Sequence, residues 1–126
     1  MNCYQDLKKS EISIVQENDD RITGSFRFDS TLSLFQGHFP GNPMLPGIFQ
    51  VEMVRYSLEK IMKVPLRIQA VKKTKFSHLI QPNTDVTVEI VIIERGGELL
   101  GVKAVVRAQD VVSGKTTLTL TKRTAV

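Results

Sequence analysis

Three features of the sequence predict an α+β fold, with one long helix laid against an antiparallel sheet. Residues 48 to about 62 are the only stretch that reads as a long helix. Five or six other segments read as strands, rich in β-branched residues. The three longest strands follow one another at the C-terminal end with short turns between them, the pattern of an antiparallel meander.

The elements follow in chain order. ISIVQE (12–17) and ITGSFRF (22–28) flank the turn-rich ENDDR and read as an antiparallel pair. Residues 31–47 read as loop, because glycine and proline punctuate them densely. After the helix, Pro65 marks the start of a strand, LRIQAVKKTKF (66–76). TDVTVEIVIIER (84–95) is strand-like throughout and turns at Gly96-Gly97 into ELLGVKAVVRAQ (98–109). A second turn near Asp110 to Gly114 leads into KTTLTLTKR (115–123). There are no internal repeats or low-complexity tracts, so residues 1–126 read as a single domain.

Composition excludes several classes. Hydrophobic content of 41% and charged content of 24% are those of a globular protein. No apolar run approaches the ~20 residues that span a bilayer, and MNCYQDLKKSE lacks the apolar core of a signal peptide. The simplest reading is a cytoplasmic protein without a membrane segment. The single cysteine, Cys3, excludes an internal disulfide framework and gives no metal spacing. The net charge of +4 is mild. Lys72, Lys73 and Lys75 form the densest basic cluster, first of all a solvated strand face and otherwise a landing patch for an acidic partner. With two Tyr, no Trp and no recognised motif, nucleic acid is not the expected partner.

The helix has two apolar flanks. At about 100° per residue, Ile48, Val51, Val54, Leu58, Ile61 and Met62 share one face, and Phe49, Met53 and Tyr56 form a second. A narrow polar stripe of Glu52, Arg55 and Glu59 runs between them. Burying both flanks suggests a sheet on one side and a second subunit on the other, hence a homodimer.

Chemistry converges just before and inside this helix. QGHFPGNPMLPG (36–47) holds one ionisable side chain, His38, in a glycine- and proline-rich frame. Pro46-Gly47 opens the helix, where backbone N–H groups lack intrahelical partners and carry partial positive charge. Such an end can stabilise an oxyanion. Glu52 lies one and a half turns in, among apolar residues. A neutral imidazole can take a proton near neutrality, and a carboxyl in an apolar site can donate one. A lone loop histidine is more often a surface residue and a lone helical glutamate more often solvated; the apolar flanks of Glu52 argue otherwise here. There is no nucleophile elbow and no metal-ligand cluster. Proton abstraction beside a carbonyl therefore fits better than hydrolysis through a covalent intermediate. His78, in KFSHLIQP, has no evident partner and reads as structural or surface-lying.

GHFPGNPMLPGIFQVE closely resembles the active-site motif of the 3-hydroxyacyl-acyl-carrier-protein dehydratases of the FabZ/FabA type. Their His-Phe-Pro-Gly-x-Pro-x-x-Pro-Gly run is matched at every fixed position, with an acid at the place of Glu52. KFSHLIQP weakly resembles their Lys-Phe-Arg-Arg-Pro-Val-x-Pro segment. The resemblance implies a hotdog fold, an antiparallel sheet wrapped around one central helix. It implies homodimers with shared active sites, often assembled as trimers of dimers, and no cofactor. The implied reaction removes water from a (3R)-3-hydroxyacyl thioester to give the trans-2-enoyl thioester. His38 would abstract the α-proton, Glu52 from the other subunit would assist departure of the hydroxyl, and the Gly47 N–H would polarise the thioester carbonyl beside Pro46. Phe39 and the apolar residues of the helix would line an acyl tunnel. The substrate would ride on acyl carrier protein or coenzyme A, with Lys72, Lys73 or Lys75 facing the acidic carrier. Glu rather than Asp at position 52 resembles the FabZ branch and argues against isomerase activity.

Some positions depart from that pattern. The family's Ala-x-Ala-Gln after the acid is Met53-Val54-Arg55-Tyr56 here, which brings a cation three residues from Glu52. A cation there favours the carboxylate and opposes its use as an acid. Ser77-His78-Leu79 replaces Arg-Arg-Pro, and Pro82-Asn83-Thr84 replaces Pro-Gly-Asp. These changes point toward specialised acyl chains, polyene or polyketide-like, as much as toward primary fatty acids. Two rivals remain: a hotdog acyl-thioesterase, and a non-catalytic partner subunit of a heterodimeric dehydratase.

Overall fold

A computed structural model of the chain describes residues 3–35 and 44–123. A short helix α1 (Cys3–Ser10) opens the chain and is followed by β1 (Glu11–Gln16) and β2 (Arg21–Arg27). A single 3-10 turn (Ser33–Phe35) precedes the long helix α2 (Gly47–Met62). Then come β3 (Leu66–Phe76), β4 (Asp85–Gly96), β5 (Leu99–Ala108) and β6 (Val111–Lys122). The six strands form one sheet in the order β1-β2-β4-β5-β6-β3, and each neighbouring pair is antiparallel.

The alternation of the strands sets the core. In β4, Val86, Val88, Ile90 and Ile92 point inward, and in β5 Leu100, Val102, Ala104, Val106 and Ala108 do so. Period-two burial of this kind gives a sheet with one dry face. That face curves around α2, which approaches β1, β2, β3, β4 and β6.

Within one chain α2 buries Val51, Val54 and Leu58 of one apolar flank and Phe49, Met53 and Tyr56 of the other, so the expectation that a second subunit is needed to cover these residues is corrected. Phe49, Met53 and Tyr56 are at most 3% exposed. Phe28 meets Phe49 edge-on at 6.3 Å, Phe26 meets Tyr56 at 6.0 Å, and Tyr4 of α1 closes over Tyr56 at 5.8 Å. Ile48 is the reverse case: it is 54% exposed and leaves the core face assigned to it.

The C-terminal half of α2 is tied down by polar contacts. Tyr56 Oη donates to Glu11 Oε1 at 2.6 Å, and burial followed by this acceptor pushes the phenol well above its ordinary value. Lys60 Nζ lies 3.6 Å from the same carboxylate. Glu59 Oε2 accepts the Leu66 N–H at 2.7 Å, fixing the entry into β3. Lys63 ends the helix in the left-handed conformation, its N–H bonded to the Glu59 carbonyl at 2.8 Å.

Two further boundaries differ from expectation. α1 was not anticipated; it is anchored through buried Leu7 and through buried Asp6, which accepts from Ser33 Oγ and the Leu34 N–H. β6 begins at Val111 rather than Lys115, because the turn from β5 closes over Gln109 and Asp110, both at positive φ.

Candidate functional site

His38 and Phe39 lie outside the described residues. The remaining expected site residues are placed on two sides of α2. Pro46 adopts extended backbone at the N-cap and Gly47 is the first helical residue. Among the described residues no side chain caps this end. The Phe49 N–H bonds to the Pro46 carbonyl at 3.0 Å, the tight turn of a helix start.

The glycine at 47 has a local cause that the sequence did not show. A Cβ there would lie 2.7 Å from the Phe76 ring. The close approach over Gly47 is thus made by Phe76, from the end of β3, and not only by the room that a ligand requires. Beside this contact is a cavity of about 370 Å³ lined by Met44, Leu45, Pro46, Gly47, Gln50, Phe76, His78 and Leu79. Its walls are mainly apolar. Leu45 is held there by its N–H bond to the Ile80 carbonyl at 2.7 Å, which joins the segment before α2 to the one after β3.

His78 stands at the same cavity, exposed, with Nδ1 3.0 Å from the Val112 carbonyl oxygen. Since a carbonyl only accepts, Nδ1 carries the proton in this bond. The structural or surface role expected for it is consistent with this bond, but its position at the pocket was not foreseen.

Glu52 is elsewhere. Five residues after Gly47, it is rotated by ~140° about the helix axis and advanced by about 7.5 Å, and it does not line the Gly47 cavity. Its side chain is 15% exposed. Arg55 Nη2 sits 2.7 Å from Glu52 Oε2, so the ion pair expected from the three-residue spacing is present. The contact is one of charge: Oε2 accepts no well-aligned hydrogen bond among the described residues.

The basic cluster faces water. Lys72, Lys73 and Lys75 are exposed on β3, an edge strand. A register irregularity between Lys72 and Lys75, with Lys73 at φ 45°, twists this edge away from regular pairing. Among the described residues no group of three or more His, Cys, Asp or Glu could hold a metal ion, and no helix is long and apolar enough to cross a membrane.

A curved antiparallel sheet around one central helix, with an apolar cavity at that helix's N-terminus, is the hotdog architecture. The model of the ApeI-like dehydratases matches residues 14–115, and the chain belongs to that family. A 3-hydroxyacyl-[acyl-carrier-protein] dehydratase FabZ of Caulobacter vibrioides is 26% identical over 90 residues, 64% of this chain and 57% of that protein. The chain thus spans less than two thirds of the length of this relative. The FabZ of Thermotoga maritima is 27% identical over 115 residues, 85% of this chain and 81% of its own. Among solved structures, the dehydratase heterocomplex ApeI:P from Xenorhabdus doucetiae superposes with a TM-score of 0.73 at 24% identity, over 88% of this chain and 96% of that one, a likeness of fold.

Proposed function

We propose that the protein dehydrates (3R)-3-hydroxyacyl thioesters, carried on acyl carrier protein or coenzyme A, to trans-2-enoyl thioesters. The observation that carries the reading is the apolar cavity at the uncapped N-terminus of α2, in a chain of the ApeI-like dehydratase family. In this reading the thioester carbonyl meets the Gly47 N–H, where the helix end stabilises the enolate charge that develops. His38 takes the α-proton. Glu52 assists loss of the 3-hydroxyl as water. The pathway is fatty-acid synthesis or a related acyl-chain synthesis.

The placement of Glu52 supports a homodimer with shared sites. Because Glu52 faces away from the Gly47 cavity of its own chain, a second chain must bring an acid to that cavity. Light scattering should give a mass near twice 14.2 kDa or a multiple of it; a monomer at micromolar concentration defeats the shared-site arrangement.

One observation favours a second reading, the non-catalytic partner of a heterodimeric dehydratase: Arg55 occupies Glu52 at 2.7 Å. Incubation of the purified protein with a 3-hydroxyacyl carrier-protein thioester, followed by mass spectrometry, separates the readings. Loss of water supports the dehydratase, release of a free acid a thioesterase, and no change in mass the partner subunit.

A further inference from the structure

Gln50 lies one helical turn after Gly47, on the same side of α2, and lines the same cavity. It is only 3% exposed, yet its Oε1 has no hydrogen-bond partner among the described residues. The carboxamide is seated in a notch over β6 that exists because residue 114 is glycine: a Cβ there would fall 2.1 Å from Oε1. A buried carbonyl oxygen without a donor is costly, and a leucine or methionine would fill the space without that cost. His78 at the same cavity has already committed Nδ1 to Val112, and the remaining lining side chains are apolar.

We infer that Gln50 is a specificity residue of this cavity, whose carboxamide hydrogen-bonds the 3-hydroxyl of the acyl chain and so selects 3-hydroxyacyl over saturated thioesters. The inference rests on the dehydratase reading. Three residues of helix separate Gly47 from Gln50 by ~4.5 Å along the axis, a span comparable to that between a thioester carbonyl and its 3-hydroxyl. The terminal amide torsion of glutamine is soft, so rotation can turn Oε1 from Gly114 toward a ligand hydroxyl. Gln50 is a positioning residue here; it moves no proton.

The test is binding to two unreactive ligands, the pantetheine amides of (3R)-3-hydroxyoctanoic and octanoic acid, whose α-protons are too weakly acidic for turnover. Calorimetry on the full chain should show the wild type preferring the hydroxylated amide. Gln50→Leu should weaken that ligand by about tenfold, the equivalent of ~1.4 kcal/mol, and leave the octanoic amide within about twofold. Its melting temperature should be no lower than wild type, since an unpaired carbonyl has been removed. Gly114→Ala, which intrudes on the Oε1 position, should erode the same preference and provides a second variant if Gln50→Leu does not fold. Equal weakening of both ligands, or weakening of neither, overturns the inference. A wild type that dehydrates thioesters but shows no preference between the amides sinks the inference alone. Selective binding without dehydration sinks the functional reading and leaves the binding role in place. Binding of neither amide sinks both.

Discussion

The two halves of α2 treat their polar groups differently. Toward the C-terminus nearly every one is partnered: Tyr56 with Glu11, Glu59 with the Leu66 N–H, Lys60 with Glu11, and the Lys63 N–H with a carbonyl. Ser57 Oγ is the exception, a small buried hydroxyl without a partner among the described residues. Toward the N-terminus, among the described residues, the end is uncapped, Gln50 Oε1 has no donor, and Glu52 Oε2 has only a charge contact. Polar satisfaction holds a fold together, whereas buried groups left unpaired are where a protein can meet something else. One helix thus divides into a fastening half and a working half.

The largest effects are expected in the working half of α2 and in the segment that precedes it. His38→Ala and Glu52→Gln should each lower kcat by roughly 10²–10⁴-fold, with circular dichroism and melting temperature near wild type; retention of wild-type turnover in either would remove that residue from the chemistry. At the fastening half, Tyr56→Phe should cost about 1–2 kcal/mol in chemical denaturation, by loss of a hydrogen bond to a carboxylate, and should leave kcat within about twofold.

Tyr56 also predicts a pH effect. The fold holds its phenol protonated above the ordinary range. At high pH the folded state therefore binds more protons than the unfolded one, and stability falls as pH rises past the unfolded phenol value near ~10. The contribution is fully present below that value. Wild type and Tyr56→Phe should converge in stability as pH is raised above it; parallel curves would mean that the Glu11 bond carries no linkage.

Smaller effects sharpen the division. Arg55→Met frees Glu52 from its ion pair and should raise kcat by roughly threefold to tenfold, the rate equivalent of about 1 kcal/mol. A fall instead would make Arg55 a residue that positions the acid. Replacing Lys72, Lys73 and Lys75 by alanine should change KM for a carrier-protein substrate by only about threefold. That effect should fade at high salt and be absent for a pantetheine thioester; equal effects on both substrates would exclude a carrier contact.

Much of the fold was legible because its signals are local. The strand at 66–76 is bounded as expected, with Pro65 before it. The three-residue spacing allowed a Glu52–Arg55 pair, with solvent or a partner subunit as the alternatives for Arg55, and the pair is present. α1 was not legible, because CYQDLKKS is short and carries a single buried leucine; its helix is held by tertiary contacts through Asp6 and Tyr4. The covering of the second helix flank was missed for the same reason, since Phe26, Phe28 and Tyr4 reach it from distant segments. At the site, Gln50 passed as one polar residue in a helix. Its three-residue spacing from Gly47 was the available signal, but its burial depends on Phe76 and Gly114, which the sheet brings in from far along the chain.

The angular separation of Gly47 and Glu52 has a genetic consequence. If each cavity borrows its acid from the neighbouring chain, His38→Ala and Glu52→Gln damage opposite partners in the same site. Subunits of the two dead variants, mixed and allowed to exchange, would pair at random into about one half hybrid dimers, each with one undamaged site and one doubly damaged site. Two inactive preparations would then recover about a quarter of wild-type activity on mixing, while either alone stays silent.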